Sequence, residues 1–345
     1  MFLAQEYFND FVIDAGIIKY YSYFMDTRLI SDLEAALSRR TSALPRLIRP
    51  FTREAGTLPR AVILTGPRGV GKTTFLIHHA KGRKILYLSA DNPRFSGESL
   101  YETVKSIFMQ GYEGVIVDEV HFARDWSVHL KSLYDDFPRH SLWISDSSAL
   151  VLRIGYADTS RRFLPITMPL LSFREFLFLE TGIESPPCNP FNLTEKLPAE
   201  PSPSVLEAFR SYREKGTRPF YGEPGFAERM LAILDKTLYA DVPFFLPNIT
   251  DGNLRLMKAV VGTLAAASIP RLQVRSLCAA WGIGADKLYQ ILEVMESVGV
   301  LRVIRPENDR KAKSAGAKLF FSDPAFYPIL SGDRGIAREA LTACL

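Results

Sequence analysis

The stretch Ala61-Val62-Ile63-Leu64-Thr65-Gly66-Pro67-Arg68-Gly69-Val70-Gly71-Lys72-Thr73-Thr74 decides the fold. An apolar run stops at Gly66, which reads as a short strand buried on both faces. Gly66 to Thr73 then fits the spacing G-x-x-x-x-G-K-[ST]. The glycines let the backbone wrap round an anion with its N–H groups turned inward. The helix predicted over Thr73 to Ala80 adds its positive N-terminal end.

Working outward, strand candidates alternate with helices. Lys84 to Ser89 reads as a strand, Leu100 to Gln110 as a helix and Gly114 to Val117 as a buried strand. Val128 to Phe137 is helical in pattern, and Leu142 to Ser145 is the next strand. That alternation implies βαβ units, a parallel sheet and an α/β fold. Upstream, helical patterning is clearest from Leu29 to Leu37, and Pro45, Pro50 and Pro59 interrupt the chain before the first strand.

The loop predicts a nucleotide triphosphate site for ATP with Mg²⁺. Lys72 is placed for the β- and γ-phosphates, and the Thr73 hydroxyl for the metal. Gly66, Pro67, Arg68, Gly69, Val70, Gly71 and Thr74 complete the expected nucleotide contacts. Asp118 and Glu119 end the apolar run Val115-Ile116-Val117. An acidic pair at that point suits a second metal-site residue, Asp118, and a general base for water, Glu119. The plainer alternative is a solvated strand end. Ser145 to Ser148 end the following strand and could sense the γ-phosphate, although ordinary turn chemistry gives the same residues. His121 could line the site or simply pack. Arg161 and Arg162 are candidates to stabilise transition-state charge, in which case the arginine serves a neighbouring subunit's nucleotide. A solvated basic pair is the other reading.

Beyond Phe163 the pattern changes. Ser172 and Glu175 have the spacing of a helix-start capping box. Residues 184–204 hold several prolines without periodicity and read as a linker or surface insertion. From Leu254 the order is helix (254–268), helix (273–280), helix (285–298), strand (Val300 to Ile304), basic loop (306–317) and strand (Lys318 to Ser322). That is the order of a winged helix. The second helix of its helix-turn-helix exposes Asp286, Lys287, Tyr289, Gln290 and Glu293. The loop carries Arg310, Lys311 and Lys313. Such a loop could track a DNA backbone, while the acidic residues face phosphates poorly.

With these residues in view, the chain resembles prokaryotic AAA+-type P-loop ATPases whose core runs into a C-terminal winged helix. The resemblance covers about residues 30–330. It rests on Leu64 to Thr74, on Val117-Asp118-Glu119-Val120-His121, on Ser145-Asp146-Ser147-Ser148, on Pro169 to Phe176, and on Tyr221 to Phe226. Asp146 stands where the family has glycine, and Arg161 replaces the glycine of a Gly-Arg pair. The resemblance therefore selects Arg162 as the arginine finger. It implies an oligomeric ATPase, with a hexameric ring among the candidates. Many relatives continue into a nuclease-like domain beyond the winged helix, and that activity is not expected from residues 1–345.

Composition sets the remaining bounds. A length of 345 residues exceeds what one core uses, so several units are expected. We divide them as an N-terminal helical segment (1–60), an ATPase core (61–180), a linker and helical region (181–253), a winged helix (254–330) and a tail (331–345). A net charge of +4 is too small to argue nucleic-acid binding by itself. Cys188, Cys278 and Cys344 are scattered, which argues against a disulfide framework or zinc cluster and fits a reducing cytoplasm. Met1 to Asp10 lacks a basic leader, and Tyr20 to Phe24 is too short for a membrane span. The leading function is ATP hydrolysis driving conformational change in an oligomer. A nucleotide-gated DNA-binding regulator is the alternative, and a small-molecule kinase the third.

Overall fold

The computed structural model of the chain describes residues 15–95, 97–147, 155–185, 202–245, 249–267, 270, 273–305, 317–330 and 334–344. The first elements are helices α1 (Ala15–Ser42) and α2 (Pro50–Glu54). Then follow β1 (Ala61–Thr65), α3 (Lys72–Ala80), β2 (Ile85–Ser89), α4 (Leu100–Met109) and β3 (Gly114–Asp118). The core continues with α5 (Trp126–Asp136), β4 (Ser141–Asp146), α6 (Tyr156–Thr159), β5 (Leu164–Thr167) and α7 (Phe173–Thr181).

The five strands form one sheet in the order β2-β3-β4-β1-β5, with every neighbouring pair parallel. Alternate residues divide between two faces, as the pleat requires. Ile63, Leu86, Leu88, Val115, Val117, Leu142 and Ile144 join one apolar cluster with α1, α4 and α5. Val62, Leu64, Ile85, Tyr87, Ile116 and Trp143 join a second cluster with Phe75, Leu76 and Ile77 of α3. Both faces are therefore covered, which explains the unbroken apolar runs in the sequence.

The sequence reading stops short of β5. Pro165 lies within it, and Ile63 pairs with Pro165 at the edge of the sheet. An edge strand tolerates a residue without an N–H because only one of its sides must hydrogen-bond. The capping box is present as the spacing predicts. Ser172 Oγ accepts from Glu175 N at 3.2 Å, and Glu175 Oε2 accepts from Ser172 N at 3.1 Å.

After α7 come α8 (Pro203–Lys215), α9 (Phe226–Lys236), a π-helical segment (Thr237–Asp241) and α10 (Val242–Phe245). The C-terminal elements are α11 (Asp251–Ala266), α12 (Val274–Trp281), α13 (Ala285–Ser297), β6 (Leu301–Ile304), β7 (Lys318–Phe321), α14 (Phe326–Ile329) and α15 (Arg334–Cys344). β6 and β7 pair antiparallel. One apolar cluster unites Met230, Leu234 and Leu238 with Val260, Leu264, Leu288, Met295 and Phe320. The helical segments before residue 254 thus share a core with those after it. The basic loop at 306–316 and most of the proline-rich stretch at 186–201 lie outside the described residues, as do Ser148 and residues 1–14. No helix among the described residues is long and apolar enough to cross a membrane.

Candidate functional site

The strand order puts the C-terminal ends of β3, β4 and β1 side by side. In an open parallel sheet this edge is where ligands bind, because loops and helix N-termini converge there. Gly66 leaves β1 with φ +149°, and a Cβ at that position would stand 2.3 Å from the Met168 carbonyl oxygen. Only a glycine lets the loop pass that close. Gly69, at φ +77°, packs under the Phe220 ring, whose Cε1 lies 2.7 Å from where a Cβ would be.

Thr73 and Asp118 meet directly. Thr73 Oγ1 donates to Asp118 Oδ2 at 2.6 Å. Asp118 also accepts from the Tyr87 hydroxyl at 2.9 Å, from Ser145 Oγ at 2.5 Å and from Glu119 N at 3.1 Å. Tyr87 is a partner the sequence reading missed. Its only signal is the pleat, which sends it to the α3 face. Burial raises the Tyr87 hydroxyl well above its ordinary value, with the Asp118 charge adding to the effect. It therefore stays a donor. A threonine hydroxyl and a carboxylate are the hard oxygen ligands that suit Mg²⁺, so the residues present fit that ion.

The Lys72 ammonium folds onto the loop. It donates to the Gly66 carbonyl at 2.8 Å and to the Pro67 carbonyl at 3.2 Å. Burial pulls it below its ordinary value, opposed by the nearby Glu119 and Asp118 charges. A polyanion at the loop would supply stronger, charged acceptors than two carbonyls. Lys72 thus fits a phosphate ligand.

Glu119 sits at φ 51°, ψ 49°, in the left-handed region that non-glycine residues seldom occupy. The chain turns immediately after β3, and such strain gathers at functional sites. Glu119 Oε1 accepts from Arg68 Nη1 at 2.9 Å, and Oε2 accepts from Ser147 Oγ at 2.9 Å. Burial raises the Glu119 carboxyl above its ordinary value, against the lowering pull of Arg68.

The end of β4 is more intricate than its sequence suggests. Ser145 is fully buried and turned to Asp118, while Ser147 reaches Glu119. Asp146, standing in place of the family's glycine, is buried and takes His121 as its partner. His121 Nδ1 and Asp146 Oδ2 are 2.6 Å apart, and the His121 backbone N–H donates to the same oxygen at 3.1 Å. His121 packs under the site, with Nδ1 3.8 Å from Glu119 Oε2.

Arg162 is not at its own loop. Nε and Nη2 donate to Asp135 at 3.0 and 2.8 Å on the partly exposed face of α5. Arg161 is exposed beside it. The structure thus brings Lys72, Thr73, Asp118, Glu119 and Ser145 together and leaves Arg162 outside.

Three further groups escaped sequence reasoning. Arg49 is buried and donates to the Val70 carbonyl at 2.8 Å and to both oxygens of Glu175 at 2.9 and 2.8 Å. It ties the phosphate loop to the capped start of α7. Asp241 accepts from Arg68 Nε and Nη2 at 2.9 and 2.7 Å. Arg218 donates to Asp323 at 2.7 Å and to the Arg68 carbonyl. Beside the loop lies a cavity of ≈ 340 Å³, walled by Leu47, Ile48, Met168, Leu179 and Pro219 and reaching Gly71 and Thr74. Residues 45–48 carry no pattern that marks them as its wall.

Comparison with known proteins agrees with this geometry. Residues 58–177 match the family described as AAA domain. An uncharacterized protein of Methanocaldococcus jannaschii, MJ1637, is 27% identical over 293 residues, covering 76% of this chain and 61% of its own. The chain therefore spans less than two thirds of the length of that relative. Among solved structures, the Walker-type ATPase PABY2304 of Pyrococcus abyssi is 14% identical, with a TM-score of 0.47 over 86% of this chain and 95% of that one. A RuvB variant of Thermotoga maritima is 15% identical, with a TM-score of 0.37 over 84% and 91%. The family match over residues 58–177, the sheet order and the Lys72–Thr73–Asp118 arrangement together describe an AAA-type P-loop domain in that part of the chain.

Proposed function

We propose that this chain binds ATP with Mg²⁺ and hydrolyses it, and that turnover drives conformational change in an oligomer. The observation that carries the reading is the junction of Thr73, Asp118 and Glu119 at one sheet edge, with Lys72 folded into the loop beside them. In this reading Thr73 and Asp118 hold the metal, which shields phosphate charge when bound. Lys72 and the loop, with Gly66, Gly69, Gly71 and Thr74, seat the phosphates. Glu119 takes the proton of the attacking water. The apolar cavity beside Gly71 has the size and lining for a nucleobase. A glutamate beside the loop suits water as the acceptor.

Arg162 supports a shared site. Its guanidinium is partly exposed, held by Asp135 and away from its own loop, as an arginine that serves a neighbour's nucleotide would be. The direct test is nucleotide affinity and phosphate release measured with the mass in solution, with and without ATP. Absence of any Mg²⁺-dependent nucleotide affinity would overturn the reading.

The second reading, a DNA-binding regulator, rests on the order of α11, α12, α13, β6 and β7, which is that of a winged helix. Two observations count against it. Asp286 and Glu293 are exposed on α13. Arg305 is engaged by Glu296 at 2.6 and 3.2 Å. Binding of duplex DNA by the full chain across a salt series decides it, because phosphate contacts must weaken with salt.

A further inference from the structure

Arg68 joins three parts of the molecule. Its side chain spans two carboxylates, Asp241 through Nε and Nη2 and Glu119 through Nη1. Its carbonyl accepts from Arg218, which pairs with Asp323 just after β7. Thr217 Oγ1 donates to the other Asp323 oxygen at 2.8 Å. One residue of the phosphate loop thus touches the candidate base and the π-helical segment, and reaches the end of the C-terminal hairpin through Arg218.

The two side-chain grips are unequal. Asp241 is 2% exposed and takes two parallel hydrogen bonds from the Nε–Nη2 edge of the guanidinium. Glu119 is 16% exposed and takes one. A bidentate, buried arginine–carboxylate pair is geometrically fixed and stronger than a single contact. If Thr237–Asp241 shifts against the loop, Arg68 follows Asp241 and leaves Glu119. The segment is itself a π-helical turn, an irregularity that concentrates at functional places.

In the arrangement seen, Glu119 has a donor on each oxygen, Arg68 on one and Ser147 on the other. Each oxygen can still accept from a water, but the two donors fix the direction in which the carboxylate faces. Since Arg68 is the charged donor, its departure is the larger change.

We propose that Arg68 is a positioning residue that restrains Glu119, and that Asp241 relieves the restraint by carrying Arg68 away when the π-helical segment moves. The inference rests on the ATP-hydrolysis reading above. It assigns regulation of that site to the seating of the helical region on the loop.

The test is a suppression experiment in the full chain. In D241N, Arg68 keeps Glu119 as its one anionic partner of the two. Turnover should fall about fivefold or more at saturating ATP, with affinity for a fluorescent ATP analogue changed by less than about twofold. In R68M/D241N no arginine restrains Glu119, and turnover at saturating ATP should rise clearly above that of D241N. The double variant removes Arg68 and the Asp241 charge together, and Glu119 keeps the Ser147 donor and the nearby Lys72 charge, so it guards against a single variant that fails to fold. Amide exchange at residues 237–241 supplies a readout independent of turnover. It should quicken on adding ATP with Mg²⁺ to wild type, and be quick without nucleotide in R68M/D241N. The proposal is overturned if the double variant remains as slow as D241N, or if ATP leaves exchange at 237–241 unchanged in wild type. A wild-type chain without nucleotide affinity would instead defeat the ATPase reading itself.

Discussion

Thr73 Oγ1 donates to Asp118 Oδ2 across 2.6 Å, joining the first turn of α3 to the last residue of β3. The bond sets a hydroxyl and a carboxylate oxygen side by side, the pair proposed to hold Mg²⁺. Replacing Thr73 by alanine removes one of the two oxygens proposed to hold the metal and leaves Asp118 held by Tyr87 and Ser145. We expect T73A to lose the gain in nucleotide affinity that Mg²⁺ gives the wild type. Paired titrations with a fluorescent ATP analogue, with Mg²⁺ and with chelator, measure that gain. An undiminished Mg²⁺ effect in T73A would remove Thr73 from the metal site.

Lys72 and Glu119 should separate binding from chemistry. K72A loses a charge-assisted contact worth about 1.5–3 kcal/mol, so nucleotide affinity should fall about 10- to 100-fold. E119Q keeps the shape of the side chain and its acceptor for Arg68 but cannot take a proton. Turnover should fall about 10²- to 10⁴-fold while affinity stays within a few fold. Phosphate release and equilibrium binding on both variants settle the division. Equal losses of binding in the two would mean that Glu119 seats the nucleotide rather than activating water.

These residues were legible because the chemistry is local. Gly66 to Thr73 are contiguous, and Asp118-Glu119 stand where a buried strand must end. The alternation of apolar strands with amphipathic helices likewise announced the parallel sheet. What the sequence hid was long-range. Arg68 and Asp241 are 173 positions apart, and no periodicity links a loop arginine to one aspartate among many. Arg49 looks like one more basic residue near prolines, yet 126 positions on it finds Glu175. β5 is four residues long, too short for a periodic signal, and it accommodates Pro165 because it lies at the sheet edge. Ser145 and Ser147 were named together, but only the fold shows that one serves Asp118 and the other Glu119.

Arg162 offers a test of the shared site. Its salt bridge to Asp135 is intramolecular and partly exposed, so losing it should cost little stability. If Arg162 serves a neighbouring subunit, R162A should lose turnover about a thousandfold and retain nucleotide affinity. Mixing R162A with K72A would then restore some activity. A junction between the intact loop of one and the intact arginine of the other is functional. Turnover in R162A equal to wild type, or no recovery on mixing, would count against an arginine acting in trans.

Arg49 and Glu175 make a prediction about stability. Both side chains are 5% exposed, and Glu175 accepts from Arg49 through two bonds as well as from Ser172 N and Phe51 N. Removing the carboxylate in E175A strands a buried guanidinium, a loss of about 3–5 kcal/mol. S172A removes only a helix cap, a loss of about 1 kcal/mol. Replacing both partners, in R49M/E175M, leaves no buried charge and should recover much of what E175A loses, although the Val70 carbonyl then lacks its donor. Urea midpoints on the four proteins rank these effects. If E175A and S172A cost the same, the ion pair contributes nothing beyond the cap, and Arg49 would hold the phosphate loop through its carbonyl contacts alone.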